Sequence, residues 1–362
     1  MTPFLIILIA ALIAITAWQL SKIVKLGKAS SIEGSESEIA NDADNDRQGK
    51  YMLYFVIAMY VMMIACFIAY QDFFLPDAAS KHGADYDSLL ITTTIVIMIV
   101  QFLTQALLHY FSYKYRGKKG QKALFFADND RLEFIWTAVP VVVLAGLILW
   151  GLFSWNEIMD AGTDDDPLIV EVYAYQFGWK VRYSGVDKTL GDANVRYIEG
   201  INELGIDPTD KDGSDDIVTQ DLHLPVNRPV LFKFRSQDVL HSAYMPHFRA
   251  QMNVVPGMVT QFKFTPTETS EDYKSTEFMT AKVRKINEIR RQKNEETART
   301  GSDAEILDPY EFEYYLLCNK ICGESHFNMQ MKMVVETEEE FNAWLSTLET
   351  FETKMAATAA TE

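Results

Sequence analysis

The stretch from Cys318 to Met329 reads C-N-K-I-C-G-E-S-H-F-N-M, and it places two cysteines, a histidine and a methionine close together. Thiolate, imidazole and thioether groups form a soft ligand set, which favours copper over magnesium or calcium. Zinc is usually held by thiolate, imidazole and carboxylate, so the thioether of Met329 argues against zinc. The spacing of Cys318 and Cys322 allows two thiolates to bridge two metal ions. A disulfide between them is the simpler alternative, but it leaves His326 and Met329 without a role.

Both flanks of this stretch alternate in the way that strands do. Phe312, Tyr314 and Leu316 alternate with other side chains before it, and Met331 and Met333 do so after it. The residues between the ligands include asparagine, lysine, glycine and serine, which are typical of a loop. The ligands are therefore predicted on a loop between two strands of a β-barrel. Short β-rich runs, one of them over 218–224, predict a sandwich or Greek-key barrel.

The motif C-x3-C-x3-H-x2-M resembles the binuclear copper loop, the CuA site, of cytochrome c oxidase subunit II. Nitrous oxide reductase carries a similar loop. Two other stretches carry the same resemblance. L-E-F-I-W-T-A-V-P-V-V-V-L-A-G-L, over 132–147, is similar to the second membrane helix of that subunit, and D-L-H-L-P-V-N-R-P-V-L-F-K-F-R-S-Q-D-V-L-H, over 221–241, is similar to its histidine segment. The resemblance spans most of residues 88–350. It implies an all-β, cupredoxin-like Greek-key domain over 156–350.

The resemblance also implies the roles of individual residues. The implied copper ligands are the bridging thiolates of Cys318 and Cys322, the imidazoles of His241 and His326, the thioether of Met329, and the backbone carbonyl of Lys320. Phe177 stands where the family has the tryptophan through which electrons enter, and Trp179 is the nearest indole along the chain. Glu133 matches an acidic position at which protons enter. A helix-end carboxylate stabilised by the helix dipole is the alternative for Glu133.

Two features of the sequence argue against cofactors other than copper. The family usually has glutamate at the position of Lys320, where its carboxylate binds magnesium. An ammonium group has no acceptor for a cation, so a magnesium site is doubtful here. The chain has three cysteines and no C-x-x-C-H sequence, so it binds no covalently attached c-type haem. The third cysteine, Cys66, lies in an apolar run and is predicted to pack as a small hydrophobic residue.

The first 155 residues form a predicted membrane region. Four apolar runs approach or exceed the ~20 residues that a helix needs to cross a bilayer, over about 3–20, 51–70, 89–111 and 134–155. The first run lacks a basic N-terminal region, which favours a retained helix over a cleaved signal peptide. Basic residues crowd the loop between the third and fourth runs: Lys114, Arg116, Lys118, Lys119 and Lys122. That loop is therefore predicted to be cytoplasmic, with the C-terminal domain periplasmic in a bacterial inner membrane.

The outer region carries nearly all of the net charge of −17. Residues 156–362 contain 21 lysines and arginines against 37 aspartates and glutamates, a net charge of −16. An acidic surface excludes nucleic acid and would steer a basic partner such as a cytochrome c. Segments 184–217 and 276–300 are predicted insertions, the first a long loop and the second a solvated helix. Residues 351–362 are predicted to be a C-terminal tail.

Together these patterns predict the electron-accepting subunit of a proton-pumping cytochrome c oxidase. Its predicted partners are oxidase subunit I, other oxidase subunits, and a cytochrome c or a quinol-oxidising complex that bears c-type haems. Three alternatives stay open. A quinol oxidase subunit II has the same architecture without the copper ligands, a nitrous oxide reductase domain would lack the membrane helices, and a membrane-anchored copper-binding protein would have no redox turnover.

Overall fold

The computed structural model describes residues 2–30, 41–71, 74, 76–122, 124–160, 166–301 and 305–359. Four long helices come first: α1 (Thr2–Ser30), α2 (Asp42–Tyr70), α3 (Lys81–Lys114) and α4 (Asp130–Met159). Three of them, α2, α3 and α4, are long and apolar enough to cross a membrane. In α1 the apolar stretch within the described part is shorter, Ala10–Val24. A fourth membrane crossing by α1 therefore stays a prediction.

The helices are longer than the apolar runs that predicted them. Helix α2 begins at Asp42, nine residues before the run at 51–70, and the side chain of Asn41 caps it by accepting a hydrogen bond from the Asp44 amide at 2.9 Å. A bilayer requires only ~20 apolar residues, whereas helical hydrogen bonding continues into polar sequence as long as no residue breaks it. Apolar length thus predicts the membrane-spanning part of each helix and misses its polar ends.

The chain divides into two compact units, Met1–Asp72 with Val96–Arg131, and Phe73–Ile95 with Leu132–Glu362. In the first unit, α2 packs along the second half of α3. The Tyr60 hydroxyl donates to the carbonyl of Phe102 at 2.6 Å, and the rings of Phe55 and His109 stack with centroids 5.6 Å apart. His109 is buried in this pair.

The second unit contains two five-stranded sheets. The first sheet has the order β3-β2-β1-β5-β8, with β1 (Leu168–Tyr175), β2 (Gly178–Tyr183), β3 (Ile217–Thr219), β5 (Val230–Ser236) and β8 (Thr260–Phe264). The second has the order β4-β10-β9-β6-β7, with β4 (Leu222–Pro225), β6 (His241–Met245), β7 (Ala250–Val254), β9 (Tyr314–Cys318) and β10 (Gln330–Glu336). Strands β1 and β5 pair in parallel, as do β4 and β10. A β-sheet domain therefore follows the apolar helices, as expected, while its description as a Greek-key barrel stays a prediction.

One core joins the two sheets. Its most buried large side chains include Tyr183, Phe232, Phe234, Phe248 and Tyr314. Four further helices complete the unit: α5 (Ser270–Ser275), α6 (Glu277–Thr300), α7 (Glu338–Leu345) and α8 (Phe351–Ala359). Helix α6 occupies the segment predicted as a solvated helix, and short 3-10 helices span Val195–Tyr197, Pro246–Phe248 and His326–Asn328.

One expectation about the strands was wrong. The run over 218–224 forms two strands, β3 and β4, which belong to different sheets. Strands β6 and β7 were not predicted, because polar residues such as Ser242, Gln251 and Asn253 interrupt the apolar pattern. Their pairing with each other and with β9 supplies the hydrogen bonds that define them, and this pairing is not visible in local sequence.

The segment 184–217 is largely irregular, and part of it packs against the β-domain. It covers the outer face of the first sheet, where Leu204 and Ile206 are buried against Tyr173 and Phe351. The predicted C-terminal tail contributes to the same cluster through Phe351, the first residue of α8. Apolar residues are too sparse in this segment to show a period, so its packing could not be read from the sequence.

His247, in the 3-10 helix after β6, makes the stability of this unit depend on pH. Its ring lies edge-on to Tyr273, Phe312 and Tyr314, and burial, together with the charges of Lys282 and Arg249, lowers its pKa to about 4. The ordinary value of about 6.5 is restored on unfolding. Only the unfolded chain takes up this proton between pH 6.5 and 4, so stability is complete above about 6.5 and falls as pH approaches 4.

We expect His247→Phe to remove this loss, which amounts to about 3 kcal/mol at 1.36 kcal/mol per pKa unit. The measurement is denaturant unfolding of the full chain in detergent between pH 7.5 and 4, for wild type and variant. Parallel pH profiles for the two proteins would show that His247 does not contribute.

Candidate metal centre

Three strands of the second sheet bring the predicted ligands together. His241 is the first residue of β6, Cys318 is the last residue of β9, and Met329 directly precedes β10. The register pairs Cys318 with Ala243, two residues after His241. The Cys318 amide donates to the carbonyl of Met329 at 3.0 Å, which closes the loop between β9 and β10 at its base. The predicted ligands from Cys318 to Met329 thus lie on the connection between β9 and β10, and β6 brings His241 beside them.

The donor atoms form a paired arrangement around two sulfur atoms. The Sγ atoms of Cys318 and Cys322 lie 3.7 Å apart, and both cysteines are free thiols. Around Cys318 Sγ lie the Nδ1 atom of His241 at 3.8 Å and the carbonyl oxygen of Lys320 at 3.2 Å. Around Cys322 Sγ lie the Nδ1 atom of His326 at 3.5 Å and the Sδ atom of Met329 at 3.7 Å. Each thiol therefore has one imidazole nitrogen and one weaker donor as neighbours.

The side chain of His241 is held in place by Asp238. The Nε2 atom of His241 lies 2.8 Å from Asp238 Oδ1, and the amide of Gln176 donates to the other carboxylate oxygen at 2.7 Å. Burial acts to raise the pKa of Asp238, but hydrogen bonds from His241, Gln176 and Val239 outweigh it and lower the pKa. With Nε2 engaged, Nδ1 is the nitrogen that faces the cysteines, as in metal sites where a carboxylate orients a ligating imidazole. Sequence reasoning did not single out Asp238, although its position three residues before His241 is a signal.

Most of the donor side chains are buried, while that of His326 is half-buried. His241 is fully buried, and Cys318, Cys322 and Met329 are buried as well. Burial raises the pKa of the Cys322 thiol to about 11, and the neighbouring Cys318 adds to the rise. In the metal-free protein the thiol form is therefore favoured at neutral pH, and a bound cation would be required to favour the thiolate. This soft, buried donor set fits copper.

Phe177 and Trp179 differ in their exposure. Phe177 is 36% exposed and packs on the loop between β9 and β10. It lies so close to Gly323 that a Cβ added there would be 2.7 Å from the Phe177 ring. The Gln176 side chain donates to the carbonyl of Cys322 at 2.5 Å, so this corner of β1 and β2 contacts the loop directly. Trp179 is 3% exposed, with its ring centroid 6.2 Å from that of His241. Because Trp179 is buried, it cannot contact a donor protein; among these two residues only Phe177 reaches the surface.

The other predicted residues lie as follows. Lys320 is exposed, with its carbonyl turned toward Cys318. Glu133 is exposed in the first turn of α4, in the four-helix N-terminal part of the chain. His223 stacks on Trp344 with ring centroids 3.9 Å apart and pairs with Glu336, so it has a structural role distant from the ligands.

Comparison with known proteins identifies the family of this chain. The family model of the cytochrome c oxidase subunit II transmembrane domain matches residues 68–156. The alternative cytochrome c oxidase subunit 2 of Bradyrhizobium diazoefficiens is 30% identical over 301 residues, which cover 82% of this chain and 92% of that protein. This chain belongs to the cytochrome c oxidase subunit II family. The resemblance found in the sequence is thereby confirmed, and the subunit II chain is a transmembrane protein with a periplasmic domain and a cysteine–histidine cluster compatible with CuA.

The family is not uniform in function. The probable quinol oxidase subunit 2 of Staphylococcus saprophyticus is 25% identical over 65% of this subunit II chain and 57% of its own length. Among solved structures, the periplasmic domain of subunit II of cytochrome oxidase from Bradyrhizobium japonicum aligns with a TM-score of 0.28 and 15% identity, covering 51% of this chain and 94% of that domain. Membership of the subunit II family therefore does not by itself decide the electron donor.

Proposed function

We propose that this chain is the electron-accepting subunit of a proton-pumping, haem–copper cytochrome c oxidase. The observation that carries the proposal is the paired arrangement of donors around Cys318 and Cys322. The thiolates of these cysteines would bridge two copper ions, with His241 and His326 as one imidazole ligand each, and with Met329 and the Lys320 carbonyl as weak ligands. Two copper ions held there would supply a carrier that accepts one electron at a time from a cytochrome c. The electron would pass to haem in subunit I, where oxygen is reduced to water.

The chain's own residues have two tasks in this proposal. The first is to hold the donors still, through the loop closure at Cys318 and the Asp238 contact with His241. The second is to exclude water, since the ligating side chains are largely buried. A rigid, dry donor set limits the rearrangement that accompanies a change in charge. Phe177 is the proposed point where electrons enter, with the buried Trp179 beside His241.

A combined electronic and electron paramagnetic resonance spectrum tests the proposal. The full chain, purified in detergent and loaded with copper, should bind two ions and show the signature of a mixed-valence pair. A signal from one isolated copper, or stoichiometric zinc binding without such a signal, would contradict the dicopper assignment. The same experiment separates the proposal from a quinol oxidase subunit II, which lacks the ligands, and from a copper-binding protein whose metal does not cycle between redox states.

The remaining features of the proposal concern location and assembly. We place residues 1–155 in a bacterial inner membrane with four crossings, and residues 156–350 in the periplasm as a cupredoxin-like domain. Ile321 and Phe327, on the copper loop, are 86% and 88% exposed, which supports cover by another oxidase subunit such as subunit I. No magnesium ion is proposed at Lys320, because its side chain offers no acceptor.

Glu133 gives a prediction about proton uptake. If it is an entrance for protons, Glu133→Ala should slow proton-coupled reduction of the oxygen-reducing centre several-fold and leave copper reduction by cytochrome c unchanged. Flow-flash kinetics of the purified oxidase across pH 6–9 measures both steps. The matched control is Glu157→Ala, which removes an exposed carboxylate near the other end of α4. Unchanged kinetics in Glu133→Ala would leave it as a helix-end carboxylate.

The electron donor gives a prediction about salt. We propose a donor held in a standing complex, such as a quinol-oxidising membrane complex with its own c-type haems, because helices α1 and α2 and the basic helix α6 offer additional contact surfaces. Quinol-driven oxygen uptake by the solubilised complex, without added cytochrome c, should then persist at high salt. A diffusing cytochrome c on an acidic face would instead fail above physiological salt, where charges are screened within ~8 Å or less. No uptake without added cytochrome c would rule out the standing complex.

A further inference from the structure

The segment that leads into α3 is hydrogen-bonded to one end of the β-domain. Three of these hydrogen bonds join backbone groups: the Ala79 amide donates to the His247 carbonyl at 2.8 Å, the Lys81 amide to the Thr265 carbonyl at 3.0 Å, and the Thr267 amide to the Ala79 carbonyl at 2.9 Å. The fourth runs from the Ser80 hydroxyl to the Phe248 carbonyl at 2.7 Å. These bonds connect residues more than 160 positions apart. The start of a membrane helix is thus attached to the same domain that carries the metal ligands.

Arg249 makes the most extensive of these attachments. Its Nε and Nη2 atoms donate to the two carboxylate oxygens of Asp87, on α3, each at 2.8 Å. The Nη2 atom also donates to the carbonyl of Pro76 at 2.5 Å, and Nη1 donates to the carbonyl of Pro246 at 2.9 Å. The Arg249 side chain is 5% exposed and that of Asp87 27%. A bidentate, largely buried arginine–carboxylate pair fixes both distance and orientation.

Arg249 occupies the turn of the hairpin whose other end carries a metal ligand. It lies in the left-handed region, with φ 51°, between β6 and β7. At this end Met245 pairs with Ala250, and at the opposite end His241 pairs with Val254. Five residues of β6 span ~13 Å at about 3.3 Å per residue, so one short, fully paired hairpin connects the Asp87 contact to His241.

We propose that Arg249 is a positioning residue for electron transfer, because it clamps the copper-bearing hairpin to the first turns of α3. The inference rests on the proposed function. Subunit I would surround the same membrane helices, so a fixed hairpin sets the separation between His241 and the accepting haem. Without the clamp, the donor groups around His241 stay intact, but the hairpin loses its attachment to Asp87 and keeps the weaker hold of the Ala79 and Ser80 hydrogen bonds. The rate of electron transfer falls as the separation of the two centres grows, so a hairpin that can shift lowers the rate of transfer from copper to haem.

The kinetic test uses the assembled oxidase in lipid nanodiscs. In Arg249→Leu, the dicopper spectrum and the rate of copper reduction by the donor should match wild type, while transfer from copper to haem slows several-fold. Asp87→Asn should act in the same direction, and Arg249→Lys, which keeps the charge but not the fork, should be intermediate. The double variant Asp87→Arg with Arg249→Asp, which swaps the two charges, should restore part of the rate of transfer from copper to haem. If Arg249→Leu does not assemble, Asp87→Asn and Arg249→Lys still decide the matter.

A second readout does not depend on copper. Hydrogen exchange in the copper-free complex should increase at the amides of Ala79, Lys81 and Gly83 in Arg249→Leu, with β6 and β7 still protected. The matched control is Arg291→Leu, which breaks exposed ion pairs within α6 and should change neither readout. Unchanged hydrogen exchange together with unchanged copper-to-haem transfer in Arg249→Leu would overturn the proposal. Loss of protection throughout β6 and β7 would also overturn it, because Arg249 would then only maintain the fold of the hairpin. If wild type lacks a dicopper spectrum, the proposed function fails, whereas the exchange result still tests the clamp.

Discussion

Cys322→Ser is expected to abolish the dicopper spectrum while the oxidase still assembles. Cys322 Sγ has three donor neighbours within 3.7 Å: Cys318 Sγ, His326 Nδ1 and Met329 Sδ. A serine hydroxyl is a hard, weakly acidic donor and cannot replace a bridging thiolate around copper. The side chain is small and lies on a loop held by the bonds of Cys318 and Asn319, so the fold should tolerate the change.

The measurement is copper stoichiometry with electron paramagnetic resonance of the purified complex. Cys66→Ser is the matched control, since this cysteine is exposed on α2 and belongs to a different unit of the chain. It should keep two copper ions and the mixed-valence signal. A normal signal in Cys322→Ser would show that the ligand assignment is wrong, and loss of signal in both variants would point to a general effect of cysteine removal.

Arg182→Met is expected to give the largest loss of stability. Arg182, on β2, has a side chain only 4% exposed and donates to Glu171 at 2.5 Å and to Asp216 at 3.0 Å. It also donates to the carbonyl of Gly191 at 2.9 Å, which holds the segment 184–217 on the sheet. Removing one partner of a buried ion pair costs about 3–5 kcal/mol, because the remaining charge is left without compensation.

The pH dependence of this loss has a definite sign. Burial raises the pKa of Asp216 to about 7, and the charge of Arg182 acts against that rise. Without Arg182, the Asp216 carboxylate is uncompensated when ionised, whereas protonation neutralises it. The deficit of Arg182→Met relative to wild type should therefore be smallest below about pH 7, where Asp216 is protonated in both proteins, and grow as the pH rises above it.

Denaturant unfolding of the full chain in detergent measures both effects. Arg291→Met is the matched control: Arg291 lies on α6, is 60% exposed, and pairs with Glu288 and Glu295. Exposed pairs contribute about 0–1 kcal/mol, so the control should change the free energy of unfolding little. Equal effects of the two substitutions would show that the buried network around Arg182 does not hold the segment in place.

Several features of the site were predictable because they are local. The loop ligands Cys318, Cys322, His326 and Met329 are close in sequence, and alternation on both sides indicated the strands that hold them. Helices α2 to α4 were predictable because an apolar run of about 20 residues is typical of a membrane-spanning helix. His241 could be assigned only through the family resemblance, since a lone histidine after two apolar residues has no local signature.

Other features depend on contacts between distant residues. The approach of His241 to Cys318 joins positions 77 apart, and the Arg249–Asp87 clamp joins positions 162 apart. The burial of Trp179 and the packing of segment 184–217 on Tyr173 likewise follow from strand order and register, which short-range patterns do not specify.

Side-chain type, apolar length and short spacing were sufficient to predict the chemistry of the donors, the apolar helices and the family of the chain. The folded chain was needed to see which nitrogen of His241 faces the thiols, which aromatic residue reaches the surface, and how the hairpin is clamped to α3. The physical reason is that each of these depends on hydrogen bonds and packing between strands that are distant in sequence, and such contacts form only once the two sheets have closed around their common core.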